Sequence, residues 1–338
     1  MRTLPCLALL LTLLASNACG SDESADEVAQ ADSNQVSLAG ASSSQVVVSR
    51  PPVSANDTSA PDAPGTASEA GANTPTSTLF TRAPWRAGDG FRSKSRMDLK
   101  LDAELGLGFL SQNVTYDLKE EESLDVSVLE PGEAGELRRQ LDYKSRTSTR
   151  TLPIVGKSTD ERRVHGKTFL VTQGDGEPEL ERVGGGKVRD KVAAEIDLSL
   201  KVLGTEPVFF SVLPQGSEVA VEIGESIDVK GDIARRIVGL PFDELNVDSL
   251  RLTFRGTDES KRAVFDAAAS FSGSTALGDG DVSLTANLNG QVIVAADTMR
   301  IARVELKGKV KARQTEGGNT MSAKGSGPLT IKRTITAR

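Results

Sequence analysis

The sequence predicts a mainly β fold, in which a large antiparallel meander sheet or half-barrel carries one or two covering helices and follows a disordered tether. Three observations predict it. Apolar and charged residues alternate through many segments of the C-terminal part, one segment instead fits a helical stripe, and a long N-terminal stretch is rich in serine, alanine and proline. These features divide the 338 residues into a leader (1–18), a tether (19–79) and a β-rich region (80–338).

The leader has the composition of a secretory signal peptide. Arg2 precedes a largely apolar run from Leu4 to Ala15, and small residues follow this run. A basic start, about a dozen mostly apolar residues and a small-residue end are typical of a cleaved export signal, and such a run is too short to remain as a membrane-spanning helix. We therefore expect residues 1–18 to be removed and the rest of the chain to be exported.

Cys19 stands directly after this leader. Because Cys6 leaves with the leader, Cys19 is the only cysteine of the exported chain and has no disulfide partner there. The stretch Ser16-Asn17-Ala18-Cys19 resembles the lipobox of bacterial lipoproteins, although Ser16 occupies a position that usually carries Leu, Val or Ile. The resemblance implies that Cys19 is acylated. Ordinary secretory cleavage is the alternative.

An acylated Cys19 would place the protein in the bacterial cell envelope. Several acyl chains hold a protein stably on a membrane, where a single chain holds it marginally. We expect the protein to face the periplasm or the exterior, with the outer membrane as the favoured location.

The tether that follows is predicted to be disordered. Residues 20–79 contain no aromatic residue, five prolines, eight acidic residues and a single basic residue, Arg50. Such a segment buries too little apolar surface to offset the entropy lost on ordering. Its exception, Val46-Val47-Val48, is too short to nucleate a core.

The β-rich region from residue 80 is nearly neutral, with 39 acidic and 38 basic residues, and is long enough for one large domain or for two lobes at 80–205 and 206–338. Its alternating segments predict antiparallel strands with one buried and one solvated face. Asn289-Gly290 adds a strong hairpin signal and predicts a turn there. The alternating segments are Met97–Leu105, Val114–Leu118, Leu124–Val128, Leu250–Phe254, Ala263–Phe271, Val282–Leu288 and Ala302–Ala312.

Residues 187–203 fit two patterns. Val188, Ile196 and Leu203 belong to a helical stripe that ends before Gly204, yet the residues from Val192 to Val202 also alternate as a strand would. A helix is favoured because an open sheet with one apolar face needs a cover. A second short helix is expected at Asp232 to Val238.

Two segments resemble each other. Trp85–Phe91 and Val221–Ile227 each place a glycine and an acidic residue just before an apolar strand residue. This predicts either a duplicated half-domain or two ordinary turns, and ordinary turns are favoured.

No catalytic residue, metal site or cofactor is predicted. His165 is the only histidine, no Gly-x-Ser-x-Gly elbow accompanies it, and we expect it in a turn or at a strand end. Residues 173–177 and 278–281 place acids beside glycines without the spacing of an EF-hand, so both are interpreted as hairpin turns. Val183–Lys187 lacks the Walker spacing and is interpreted as a hinge. The neutral β-rich region disfavours nucleic-acid binding.

The predicted meander and its covering helix resemble uncharacterised secreted domains of bacterial lipoproteins. They are also similar to half-open β-barrels that carry lipids or lipoproteins across the envelope, and this second resemblance implies an apolar cavity between sheet and helix. The leading hypothesis is a non-enzymatic, lipid-anchored module that binds an apolar ligand or an envelope protein. The alternative is an extracytoplasmic hydrolase that uses carboxylates. A lined cavity, a sealed core with an exposed apolar patch, or clustered acids would distinguish these hypotheses.

Overall fold

A computed structural model describes residues 46–49, 77–107, 110–131, 136–152, 156–174, 176–239, 246–277, 280–315 and 321–338. The leader, Cys19 and most of the tether lie outside these ranges. The strands are β1 Val46–Ser49, β2 Ser77–Thr81, β3 Gly90–Leu107, β4 Leu110–Pro131, β5 Leu137–Leu152, β6 Gly156–Glu161, β7 Thr168–Gln173, β8 Glu179–Arg182, β9 Glu218–Glu222, β10 Ser226–Val229, β11 Asn246–Thr257, β12 Ala263–Leu277, β13 Gly280–Ala295, β14 Arg300–Thr315 and β15 Met321–Ala337. The helices are α1 Asp190–Leu203 and α2 Gly231–Val238, and a 3-10 turn covers Val208–Phe210.

One large antiparallel sheet dominates the described part of the chain. Thirteen strands form it in the order β1-β10-β11-β12-β13-β14-β15-β3-β4-β5-β7-β8, with β6 paired to β5, while β2 and β9 form a separate pair. The sheet does not close, since β1 and β8 lie at opposite ends of this order. The predicted mainly β fold with a meander sheet and covering helices is confirmed.

Alternation along the long strands separates a buried face from a solvated one. On β11, Leu252 and Phe254 are buried while Arg251 is exposed, and on β14 Val304 and Leu306 are buried between exposed basic residues. Since successive side chains of a strand point to opposite faces, one face of the sheet carries the apolar core.

The hairpin turn predicted at Asn289-Gly290 is wrong. Both residues lie inside β13, which turns toward β14 only at residues 296–299. A Cβ added to Gly290 would overlap the carbonyl oxygen of Glu305 on β14, so this glycine permits a close approach of two strands. Pairing of β13 with a strand on each side therefore outweighs the local turn preference.

Both predicted helices are confirmed. Helix α1 buries Ile196 and Leu200 and ends at Gly204, so the helical stripe prevails over the alternating pattern in residues 187–203. Helix α2 begins one residue before the predicted Asp232 and ends at Gly239 in a left-handed conformation.

The apolar residues form two main clusters. The larger lies between strands β10–β15 and α2 and contains Phe80, Phe254 and Phe265. The smaller lies between β3–β5, β7 and α1 and contains Phe169 and Ile196. Most residues of the smaller cluster precede residue 205 in the sequence, and most residues of the larger cluster follow it. A single sheet nevertheless spans both clusters, because β15 pairs with β3.

Four residues of the predicted tether form a strand. Val46–Ser49 pairs antiparallel with β10, with Val46 opposite Val229. Consecutive valines favour extended backbone, and β10 offers an unpaired edge on that side. Strand β2 likewise begins at Ser77, three residues before the predicted start of the β-rich region.

The two similar turns share one hydrogen-bond pattern. In the first, the Gly88 amide donates to Val128 at 2.9 Å and the Val128 amide donates to Asp89 at 2.8 Å. In the second, Gly224 donates to Phe254 at 2.8 Å and Phe254 donates to Glu225 at 2.9 Å. The likeness ends with the following strands, because β3 leads directly into β4 whereas β10 reaches β11 through α2.

Candidate ligand-binding cavity

A cavity of about 330 Å³ lies between the C-terminal end of α1, the segment that follows it and the sheet. This volume is within the range of about 300–1,000 Å³ that small-molecule sites have. Helix α1 supplies Val202 and Leu203, the 3-10 turn supplies Val208, and four strands of the sheet supply the opposite wall. The apolar residues of that wall include Phe91 of β3, Ile301 and Ala302 of β14, and Ile335 of β15.

Trp85 and Arg300 form one edge of the cavity. The Trp85 ring stacks on Phe91 with centroids 5.3 Å apart, and the guanidinium carbon of Arg300 lies 4.1 Å from the centroid of Trp85. Arg300 Nη2 also donates to Asp89 Oδ2 at 2.6 Å. Burial opposes ionisation of Asp89, but hydrogen bonds from the Arg86 backbone and from Arg300 hold its pKa below the ordinary value.

Two further arginines, Arg236 of α2 and Arg333 of β15, line the cavity. Arg333 is only 4% exposed, donates through Nη1 to the Arg236 carbonyl at 3.0 Å and through Nε to Ser93 Oγ at 3.4 Å. Burial lowers the pKa of Arg333 to about 10 and also lowers the pKa of Arg236. Neither guanidinium forms an ion pair within 4.0 Å among the described residues, although Glu206 and Asp232 favour the charged form of Arg236, and Glu122 that of Arg333, from a greater distance.

A fourth arginine, Arg139 of β5, lies beside this group. It is fully buried, donates through Nη1 to the Gly204 carbonyl at 2.8 Å and contacts the side chain of Gln173. Burial and the nearby charge of Arg236 lower its pKa to about 10. Arg139 and Arg333 thus bind carbonyls at the C-terminal ends of α1 and α2, where the helix dipole is negative.

The two glycines that end the helices make room for these arginines. Gly204 and Gly239 have φ values of 63° and 74°, which other residues rarely adopt. A Cβ at Gly204 would overlap the guanidinium of Arg236, and a Cβ at Gly239 would overlap the side chain of Arg333. Each glycine therefore ends a helix and also allows an arginine to pass close to the backbone.

Carboxylates are scarce in the cavity. Asp297 is the only acid among the described residues that line it. Glu122 lies buried nearby, where it contacts Arg146 Nη1 at 3.4 Å and accepts a hydrogen bond from Ser199 at 3.3 Å. The described residues therefore do not assemble in this cavity the carboxylate pair that glycoside hydrolysis requires.

The residues singled out in the sequence lie elsewhere. Cys19 is outside the described residues. His165 lies in the turn between β6 and β7, as predicted, and its Nδ1 accepts a hydrogen bond of 3.3 Å from the Arg146 backbone. Gln173 ends β7, and β7 pairs antiparallel with β8 as the predicted hairpin requires, while Asp175 in the connection lies outside the described residues. Val183–Lys187 is an exposed connection from β8 to α1.

Gly278 and Asp279 lie outside the described residues, although the strands that flank them, β12 and β13, pair as a hairpin. Among the described residues, no group of three or more potential ligands is placed to hold a metal ion. No helix in the described ranges is long and apolar enough to cross a membrane.

The arginines of the cavity are not predicted from the sequence, but a signal exists for one of them, Arg333, and for the neighbouring Arg139. Arg333 follows Leu329 and Ile331 at the inward-facing positions of β15, and Arg139 stands between Leu137 and Leu141 at the inward-facing positions of β5. An arginine at a position where the alternation predicts a buried apolar residue is unusual, because burying a charge without partners is energetically costly. Arg236 gives no such signal, since it lies in a short helix whose faces are set only by packing.

Comparisons with known proteins give only remote similarities. No family model matches the chain, and no curated protein matches its sequence. Lipovitellin, in a structure of its lipid–protein interactions, aligns with a TM-score of 0.34 and 7% identity over 74% of this chain and 26% of its own. OccK5 (OpdH) of Pseudomonas aeruginosa aligns with a TM-score of 0.19 and 6% identity over 70% of this chain and 65% of its own. The chain thus spans about a quarter of lipovitellin and just under two thirds of OccK5. At these scores the alignments support no inference about ligand or function.

Proposed function

We propose that the mature chain is a lipid-anchored, non-enzymatic binding protein of the bacterial cell envelope that holds an apolar ligand in the cavity beside α1. The observation that carries the binding proposal is the cavity of about 330 Å³ between α1 and the sheet, with its largely apolar wall. A cavity of this kind is the default position of a small-molecule site.

The position of the cavity favours a ligand over a protein partner. It is lined by Val202 and Leu203 of α1 and by strand residues, which is the arrangement that the cavity hypothesis requires. Large exposed apolar side chains in the described ranges, by contrast, are distributed over separate elements, at Leu79, Leu129, Val183 and Ile223. Single exposed apolar residues are normal on protein surfaces and do not indicate a docking patch.

The anchor is proposed to be the acylated Cys19. Mass spectrometry of the N-terminal peptide from native membranes is expected to show a chain that begins at Cys19 and carries the added mass of acyl groups. Cys19→Ser should move the protein to the soluble fraction, because the stretch 20–79 has no apolar run that could replace the acyl chains. Cys6→Ser, in the leader, is the matched control and should leave the protein on the membrane. An unmodified Cys19 thiol or an uncut leader would refute the anchor.

Ligand binding can be followed through Trp85, which is the only tryptophan of the chain and lines the cavity. Titration with 1-dodecanol, a neutral single-chain probe, is expected to change the Trp85 emission saturably. Ala302→Leu fills part of the cavity and should weaken this binding about tenfold, because overpacking costs of order 1–3 kcal/mol. Ala268→Leu makes the same substitution at an exposed position of β12 and serves as the control.

Two outcomes would count against binding in this cavity. One is a Trp85 emission that dodecanol leaves unchanged at all concentrations at which it remains monomeric. The other is equal weakening by Ala302→Leu and Ala268→Leu, since this would locate the bound chain outside the cavity.

A further inference from the structure

We propose that the ligand of this cavity carries an anionic head group, a carboxylate or a phosphate, which Arg236, Arg300 and Arg333 bind while its alkyl chain packs against the apolar wall. The inference rests on the proposed function and names the chemical class of the ligand.

Positive charges outnumber negative charges in the cavity. Three guanidinium groups and one carboxylate, that of Asp297, belong to the described residues that line the cavity. Arg300 has a counter-ion in Asp89, whereas Arg236 and Arg333 form no ion pair within 4.0 Å among the described residues. Glu206 and Asp232 favour the charge of Arg236, and Glu122 that of Arg333, only from a greater distance. A buried cation without a counter-ion is costly, and the negative ends of the helix dipoles offset only part of this cost. A bound anion would supply the missing charge.

Three buried donors of the cavity lack acceptors among the described residues. They are the Nε atoms of Arg236 and Arg300 and Nε1 of Trp85, and all three residues line the cavity. Buried donors without acceptors are rare in native proteins and call for a specific explanation. A carboxylate or phosphate presents several acceptor sites at once and forms the stronger, charge-assisted type of hydrogen bond with guanidinium groups.

Arg236 and Arg333 are already held in place by hydrogen bonds. Arg236 Nη2 donates to the Glu206 carbonyl at 2.5 Å, and Arg333 Nη1 donates to the Arg236 carbonyl at 3.0 Å. These bonds fix the two guanidinium groups and leave at least one donor over, since the buried Arg236 Nε donates to no described residue. Groups fixed before binding lose little entropy when the ligand arrives, which favours specific recognition.

The apolar wall of the cavity indicates the chemistry of the ligand outside its head group. Beyond the arginines, the wall consists largely of side chains such as Val202, Leu203, Ile301 and Ile335. A small polar anion would leave this surface unfilled, whereas a single-chain amphiphile would match both the charged and the apolar parts of the cavity.

The test compares four probes with the same alkyl chain on the full mature protein, by Trp85 emission and by calorimetry: dodecanoate, dodecyl phosphate, 1-dodecanol and dodecyltrimethylammonium. At least one anionic probe is expected to bind about 10- to 100-fold more tightly than dodecanol, the range that one charge-assisted hydrogen bond gives. The cationic probe should bind most weakly. The tighter of the two anions identifies whether the head group is of the carboxylate or the phosphate type.

Variants then assign the effect to the arginines. Arg236→Gln and Arg300→Gln should each weaken binding of the preferred anion about tenfold and weaken dodecanol binding less than this. Arg251→Gln is the matched control, because Arg251 is 63% exposed on the opposite face of the sheet and pairs with Asp228. Calorimetry is the decisive readout for Arg300→Gln, since Arg300 contacts the Trp85 ring and its loss alters the emission directly.

The outcomes separate this inference from the function on which it rests. Equal affinities for dodecanol and both anions, or a preference for the cationic probe, would overturn the anionic head group and leave apolar binding in place. Absence of binding for all four probes would remove both proposals. Unchanged anion binding in Arg236→Gln and Arg300→Gln would also overturn the assignment to the arginines.

Discussion

Phe265→Ala is expected to lower the free energy of unfolding by about 3–5 kcal/mol, the usual cost of removing a buried phenylalanine. Phe265 is 0% exposed and lies at the centre of the larger cluster. The rings of Phe254, Phe209 and Phe80 surround it with centroids at 5.3, 5.6 and 6.1 Å. Truncation would leave a void between the sheet and the elements that cover it. Equilibrium unfolding in urea, followed by circular dichroism, measures the effect.

The neighbouring Val264 provides the control. It lies on the other face of β12 and is partly exposed, so Val264→Ala should cost less than about 1 kcal/mol. Similar losses for the two variants would show that the cluster around Phe265 is not the core of this half of the sheet. The same urea titration, followed by both circular dichroism and Trp85 emission, also tests the division into lobes at 80–205 and 206–338. If the two lobes unfold as one cooperative unit, the two signals change at the same urea concentration.

Asp125→Asn is expected to lower the free energy of unfolding by about 2–3 kcal/mol, below the cost of breaking a fully buried ion pair because its partners remain partly solvated. The Asp125 side chain is 2% exposed and accepts hydrogen bonds from Arg92 Nε at 2.6 Å, Arg92 Nη2 at 2.8 Å and Arg338 Nη1 at 2.8 Å. The substitution removes the charge that these guanidinium groups bind.

The same carboxylate makes stability sensitive to acid. The hydrogen bonds from Arg92 hold the pKa of Asp125 below its ordinary value of 3.8 in the folded protein. Its contribution is therefore fully present above pH 3.8 and is lost as the pH falls through the lower, folded-state pKa. Asp125→Asn should flatten the stability profile in that acid range. Asp266→Asn is the control, because Asp266 pairs with Arg255 at 2.6 Å but is 42% exposed. If the two variants lose equal stability and keep the same acid profile, the role given to burial of Asp125 is wrong.

The sheet was predictable because its information is local. The alternation in Leu250–Phe254 and Ala263–Phe271 is set by the need to bury one face, and the structure follows it. Helix α1 was predictable only in part, since residues 192–202 fit both the helical and the strand periodicity. The helix was favoured only because the apolar face of the sheet needs an element to cover it. Asn289-Gly290 was misleading because its local turn preference is weaker than the two ladders that pair β13 on both sides.

The cavity was not predictable in the same way because distant segments build it. Arg236 and Arg333 meet although they are 97 residues apart, and Asp89 meets Arg300 across 211 residues. The resemblance to half-open carriers implied a cavity between sheet and helix. It did not indicate that arginines line this cavity. Only the inward-facing positions of Arg139 and Arg333 on their strands indicated buried charge, and Trp85 was noted only as part of the turn segment Trp85–Phe91.

The most direct test of the account is a crystal structure of the protein with dodecanoate that carries bromine on its terminal carbon. The account predicts an anomalous bromine peak between α1 and β14, with the carboxylate within hydrogen-bond distance of Arg236, Arg300 or Arg333. A bromine peak on another surface, or an empty cavity in crystals grown at saturating ligand, would contradict it.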